Sequence, residues 1–470
     1  MYTSCQWDLR PRGPAWLPIM HSGSKVRLVG QQWRSIGLQH HMPIGPPIQI
    51  VSCTCKGGLN ETGWRHSGSV FKAMDAAKLR AWWSYRQGLD GRMTGAAPKS
   101  VLEQTGWARS VGGAGPYLGL FARCGATREA VDRAVADLEI HELPSARGCT
   151  YVLPKSAFAL GLKLGQDAPE ADMRVARKLG VSDAEIAKLS KAVVETLKKG
   201  PLDPEQLRDA TGKASRNLGE AGKKKGLTTT LPLALGELQA KGTIRRVPTN
   251  GRLDQQRYCY TLWRPNPLEN SKLTLEEAHT QLARLFFEWI SPATQAEFQA
   301  FAGIGVKSAQ AAITPLMLRP VEDGADRLVP PGQYEEFQAF KPPKEPQYTL
   351  VTNLDGILLL RRDIKSLLAP EDLKKPVIDQ KAKRVEVGGL ADLPSPAIID
   401  RGRLVGLWEY DPERESIAWM SFVGSNAELE KAVRRTEEYV RKELGDARVF
   451  SLDSPKSRIP RIQALRKAGH

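Results

Sequence analysis

The residues with the plainest chemical meaning in this chain are cations. Lys213 and Arg216, the run Lys223-Lys224-Lys225, then Arg245, Arg246, Arg252 and Arg257 crowd one stretch of sequence. Cations grouped around a helix and a hairpin can neutralise phosphates on both sides of a nucleic-acid groove. A second stretch, ARSVGGAGPY (108–117), places three glycines just ahead of Pro116 and Tyr117. Glycine lets a backbone approach a ligand closely, Arg109 and Ser110 could meet phosphate or water, and Tyr117 could stack on a base. The plainer reading is a flexible turn with Tyr117 in the core. Arg147, next to Gly148, sits in a polar turn between two strands. The familiar catalytic signatures G-x-x-x-x-G-K-[ST], H-E-x-x-H and G-x-S-x-G are missing, so no nucleotide cofactor is expected. His141 and Glu142 fall on a strand, point to opposite faces and cannot form one site.

Composition bounds the partners. The 470 residues carry a formal net charge of +16 with 26% charged residues, the balance of a globular protein with a polyanionic partner. No apolar run approaches the roughly 20 residues of a membrane span, and the start lacks an apolar signal core. The expectation is a cytoplasmic, nucleoid-associated monomer of bacterial type that binds double-stranded DNA. Of the six cysteines, Cys53 and Cys55 form a C-x-C without a second pair at zinc spacing, so they read as free thiols with no metal site. Residues 1–73 look foreign to the rest. They hold four of the seven histidines and four of the eleven tryptophans, with two acids against eight Lys or Arg and no sustained period. The expectation is a disordered or non-native extension ahead of a natural start at Met74, or a basic arm.

The elements that must position these groups recur three times. A short helix opens after proline and closes on glycine (98–106, 204–212, 292–303), a second helix follows, and then a strand pair. The pairs are Ile140–Leu143 with Thr150–Leu153, Ile244–Val247 with Tyr258–Leu262, and Leu318–Val321 with Arg327–Val329. Helix, turn, helix, hairpin is the winged helix-turn-helix unit, whose second helix and hairpin can enter or straddle grooves. The expected fold class is α+β. Three tandem winged helix-turn-helix units, at 74–165, 181–265 and 272–335, precede a strand-rich α+β C-terminal domain at 348–470. The connector 165–180 reads as exposed and KPPKEPQ (341–347) as a domain linker, and the basic tail from Ser454 as a solvated end or a phosphate contact. The C-terminal run YTLVTNLDGILLLRRD reads as strands turning at Asp355-Gly356, and PAIIDRGRLVGLWEYD as strands turning at Arg401-Gly402. On the helix expected at 228–241, the outer face shows Pro232, Gly236 and Glu237, poor readers of base edges. That favours backbone or shape recognition.

From Thr105 onward, TGWARSVGGAGPYLGLFAR, TREAVDRAVADLEI, SARGCTYVLP, TNLDGILLLRRDI and PAIIDRGRLVGLWEYD resemble the AlkZ/YcaQ-like crosslink-repair DNA glycosylases over about 75–465. The resemblance implies tandem winged helices around a DNA-sized channel and hydrolysis of the N-glycosidic bond of a bulky alkylated or crosslinked purine. It also implies a water-positioning Q-x-Q or Q-x-D just before the Pro-Tyr. Here that place reads Arg109-Ser110-Val111, and the family's R-G-T-L-H hairpin reads Arg147-Gly148-Cys149-Thr150-Tyr151. Two functions from different classes follow: a diverged DNA glycosylase, whose catalytic residues the sequence does not identify, or a non-catalytic winged-helix protein acting as regulator or damage binder.

Overall fold

Capping chemistry starts the helices close to where the sequence places them. In the computed structural model, which describes residues 75–451 and 453–468, Asp75 caps Ala76–Arg86 and Thr127 caps Arg128–Ala136. Capping boxes at Asp203/Gln206, Thr274/Glu277 and Thr294/Glu297 start Pro204–Thr211, Leu275–Ile290 and Gln295–Ala302. Each such cap satisfies backbone N–H groups the helix itself cannot, a gain of about 1 kcal/mol. At Ser182 only half of the expected box forms: its hydroxyl accepts from the Glu185 amide at 3.1 Å. The described residues belong to one contact unit, Met74–His470. Both the extension at 1–73 and the Cys53/Cys55 pair lie outside them.

The chain is a mixture of helices and small antiparallel sheets, the α+β class. Ala108–Arg109, Thr150–Pro154 and Ile140–Pro144 form a three-stranded sheet with 150–154 in the middle. Ile244–Pro248 pairs with Tyr258–Leu262, and Arg319–Pro320 with Leu328–Val329. The largest sheet runs in the order 416–421, 403–411, 397–400, 348–351. Arg401 and Gly402, both at positive φ (46° and 78°), make the expected turn between two of its strands.

Three expectations fail. The connector is not an open linker: Glu170–Lys178 is a helix that buries Met173 and Ala176. Its polar residues hid a stripe only two side chains wide. Pro169 of this connector lies 3.8 Å from where a side chain on Gly236 would begin, so part of the expected outer face of Leu231–Ala240 borders protein. In the C-terminal run only Tyr348–Val351 is a strand, because Asp355 caps a short helix, Gly356–Leu359, in place of the hairpin turn. The basic tail is not solvated either. Pro455–Ala468 is a helix packed on strands 403–411 and 416–421, with Arg458 paired to Asp446 and Arg461 to Glu409.

Three apolar cores hold the fold. One lies wholly within 173–260 and joins Leu189, Val193, Leu207, Leu231, Leu235 and Ile244. The others are shared between distant parts of the chain. Trp82, Trp83 and Trp107 pack with Phe286, Phe287, Trp289, Ile357 and Leu360, while Tyr117, Leu118, Val131 and Val135 pack with Trp408, Tyr410 and Tyr439. A fully buried Gln87 bridges the seam: its amide donates to Thr105 O and Trp289 O at 2.7 and 3.0 Å. Beside it Arg123 grips Asp355 through both guanidinium ends at 2.7 and 2.8 Å. Removing one partner of such a pair strands a buried charge, a loss on the order of 3–5 kcal/mol.

Candidate nucleic-acid interface

The pleat of the first sheet decides which side chains meet. Ala108 and Glu142 both lie opposite Val152, so they share one face, and Ser110 continues that face beyond the strand. Ser110 Oγ donates to Glu142 Oε1, and Arg246 Nη2 donates to Glu142 Oε2 at 3.0 Å. Glu142 and Ser110 are both buried. Arg246 also lies 4.7 Å over the Tyr258 ring. Burial works against its charge, and Glu142 more than restores it. Burial also raises the Tyr258 hydroxyl, with Glu142 adding to the effect. A carboxylate therefore stands against the middle residue of Arg109-Ser110-Val111. No acid stands near that tripeptide in sequence; this one comes 32 residues on, from strand 140–144 on the far side of the central strand. Strand alternation was the available signal: the parity that separates Glu142 from His141 also aims it at Ser110. His141 faces the other way, between Phe158 and Trp263, and burial pushes its imidazole down to about 3, helped by Arg245 and Arg246.

The glycine-rich loop is approached by the chain itself. A Cβ on Gly113 would come within 2.2 Å of Val449 O and 2.3 Å of Arg448 O. Ala114 N donates to Arg448 O at 2.7 Å, and Ser451 N to Val111 O at 3.2 Å. Tyr117 is fully buried: its hydroxyl donates to Asp132 and accepts from the Leu253 amide at 2.9 Å. Tyr117 is thus a core residue and offers no face for a base.

The hairpin 244–262 leans on its neighbours. Arg252 pairs with Asp254 at 2.6 Å and donates to Leu444 O at 3.0 Å, so Arg246 and Arg252 are both committed within the protein. Arg245 is half-buried, and burial lowers its pKa. Lys213, Lys223, Lys224, Lys225 and Arg257 are exposed. Arg216 is exposed too but holds Glu185 at 2.8 Å.

Arg109 and Arg147 gather elsewhere. Arg109 lies opposite Tyr151, with its guanidinium 5.5 Å from the ring and donating to Thr150 O. Burial pushes the Tyr151 hydroxyl up to about 12, with Cys149 adding to the effect and the charges of Arg109, Arg147 and Arg362 opposing it. Next to this group Arg147, Ala296, Glu297, Ala300, Arg361 and Arg362 line an open cleft of about 330 Å³. Sequence reasoning missed Arg361 and Arg362, having placed them on a strand where neither stood out.

Among the described residues no cluster of three His, Cys, Asp or Glu could hold a metal ion, and no helix is long and apolar enough to cross a membrane. No curated protein is similar enough to the chain to match it. Among solved structures, Streptomyces sahachiroi DNA glycosylase AlkZ resembles it with a TM-score of 0.59 at 21% identity, over 80% of this chain and 98% of that one. At that identity the likeness speaks to the fold. The family model for DNA glycosylase AlkZ-like proteins matches residues 104–448, from the helix ahead of the glycine-rich loop to the segment that covers it. The chain belongs to the AlkZ-like DNA glycosylase family.

Proposed function

We propose that this protein is a DNA-repair glycosylase that binds double-stranded DNA and hydrolyses the N-glycosidic bond of a bulky alkylated or crosslinked purine. Residues 74–165, 181–265 and 272–335 serve as three tandem winged helices, with 348–470 as an α+β C-terminal domain. Helix pairs followed by two-stranded ribbons support that reading of the three segments. Exposed Lys213, Lys223, Lys224, Lys225 and Arg257 supply the phosphate contacts.

The observation that carries the catalytic reading is the Ser110–Glu142 pair. Loss of a damaged base leaves a cationic sugar and needs a positioned water with a proton acceptor behind it. Ser110 commits its hydrogen to Glu142, which frees its oxygen lone pairs to orient a water O–H. The water oxygen bonds to C1′ as the C1′–N bond breaks. The bonding pair stays on the base, and the water proton passes through Ser110 to Glu142. One observation favours a second reading: Ser110 is 1% exposed beneath its cover, as befits a protein that binds damaged DNA without cleaving it.

Incubating the protein with alkylated and with crosslinked duplex DNA, and assaying released base and abasic sites, separates the two. Glu142→Gln keeps the shape but takes the carboxylate from Arg246, so its melting temperature is followed alongside; the folded variant should lower release by about 10²–10⁴, the usual span of acid–base assistance, with binding intact. Tight binding by the wild-type protein without any release leaves the second reading.

A further inference from the structure

We propose that the cleft lined by Arg147, Arg361 and Arg362 is a phosphate site that seats one phosphodiester of the DNA backbone. The inference rests on the DNA-binding reading above and adds a contact point remote in sequence from the lysine-rich segment. The backbone is the first support. Arg147 (φ 59°) and Arg362 (φ 54°) both occupy the left-handed region, which costs a non-glycine residue on the order of 1 kcal/mol or more. The two turns bring Arg147 and Arg362 to the same cleft from segments more than two hundred residues apart. Gly303 makes room for one of them, since a Cβ there would lie 2.4 Å from Arg147 Cγ. The Ala300 carbonyl then anchors Arg147 Nη1 at 2.9 Å.

Arg361 is the second support. It is buried, its guanidinium 3.3 Å over the Trp83 ring, and Nη1 donates to Ser366 Oγ at 2.8 Å. Its Nε and Nη2 have no hydrogen-bond partner among the described residues. Burial lowers its pKa to about 10, so it stays charged at neutral pH. Sealed from solvent, Arg361 touches no phosphate itself; it sets an uncompensated positive charge beneath the rim that carries Arg147 and Arg362. The acids nearby are engaged elsewhere. Glu297, the carboxylate of the lining, accepts from the Thr294 amide at 2.7 Å and faces Arg327 at 3.3 Å. It stands 3.8 Å from Arg361 Nη1, not at its free donors. Asp392 takes only Nη2 of Arg362, at 2.9 Å. The partly exposed guanidinium forks of Arg147 and Arg362 match the two unbridged oxygens of a phosphodiester.

The test titrates salt against binding of a short undamaged duplex to the wild-type protein, Arg147→Gln, Arg362→Gln and Asp392→Asn, and follows the melting temperature with inorganic phosphate. Arg361→Gln is a weaker probe because its burial makes misfolding an easy explanation. Each arginine variant should lower the salt slope, and the two together by no more than about one unit, one phosphate's worth of released counterions. Asp392→Asn frees Arg362 and should tighten binding several-fold. A wild-type protein that binds duplex with slopes unchanged in the variants overturns the site and leaves the DNA-binding reading standing. Absence of duplex binding overturns that reading instead. If inorganic phosphate then raises the melting temperature of the wild type but not of the variants, the cleft holds free phosphate and the backbone occupant is wrong.

Discussion

His141 and Glu142 are adjacent, yet they meet opposite environments because a strand alternates its faces. Alternation rightly denies them a common site. It also determines, though only the fold reveals it, that Glu142 meets Ser110 and Arg246 while His141 meets Phe158 and Trp263. The buried imidazole gives a pH signature with a definite sign. Its folded pKa, about 3, lies below the unfolded value of 6.5. Between those limits the unfolded chain binds a proton that the folded chain refuses. Stability from this group is complete above pH 6.5 and is lost as pH falls toward 3, at up to about 1.4 kcal/mol per pH unit. His141→Phe, which keeps a ring against Phe158 and Trp263, should flatten that acid decline. Urea midpoints at pH 7 and pH 4.5 measure it, and an equally steep decline in the variant would show that the charge is tolerated. Arg109, Ser110 and Tyr117 teach the same lesson. Their types were legible, but burial and partner were not, because each depends on elements far away in sequence.

At the scale of elements, the sequence was most readable where local chemistry rules. Prolines, caps and terminal glycines place the helices 98–105, 128–136 and 204–211, and the three strand pairs appear in register. It misled where a tertiary partner decides the outcome. GILLL suggested a strand, but the Asp355 side chain caps the 356–359 helix while clasping Arg123. The loop 108–117 is the clearest example. Its glycines suggested ligand approach, and the space they open is filled by the 448–451 segment instead. Gly113→Ala should therefore destabilise the protein by about 1–3 kcal/mol, the usual cost of forcing extra volume into a packed site. The methyl meets two backbone carbonyls, which cannot rotate aside as a side chain would. A Gly113→Ala protein that melts with the wild type would mean that this segment is loosely held in solution. In that case Ser110 is far more accessible than the packing implies.

On the scale of the whole molecule, charge was legible in amount but not in placement. The net charge of +16 pointed to a polyanion, and membership in a DNA glycosylase family agrees with that partner. Yet several of the cations are spent internally: Arg123 on Asp355, Arg246 on Glu142, Arg252 on Asp254, Arg461 on Glu409. The Arg123, Arg246 and Arg461 pairs hold separate parts of the chain together, the Arg252 pair is local, and each offsets its cation's charge. The exposed run Lys223-Lys224-Lys225 differs, with only Lys223 near an acid, Glu220 at 3.7 Å. Flexible exposed lysines add affinity by displacing counterions, independent of base sequence. Replacing all three with Ala should weaken duplex binding at low salt and reduce the salt slope by up to about three units, with stability nearly unchanged. The loss should be the same for damaged and undamaged duplexes, since phosphates carry no record of the lesion. An unchanged slope would place this cluster on a face turned from DNA. The grip would then rest on Lys213 and Arg257 and on the Arg147/Arg362 cleft.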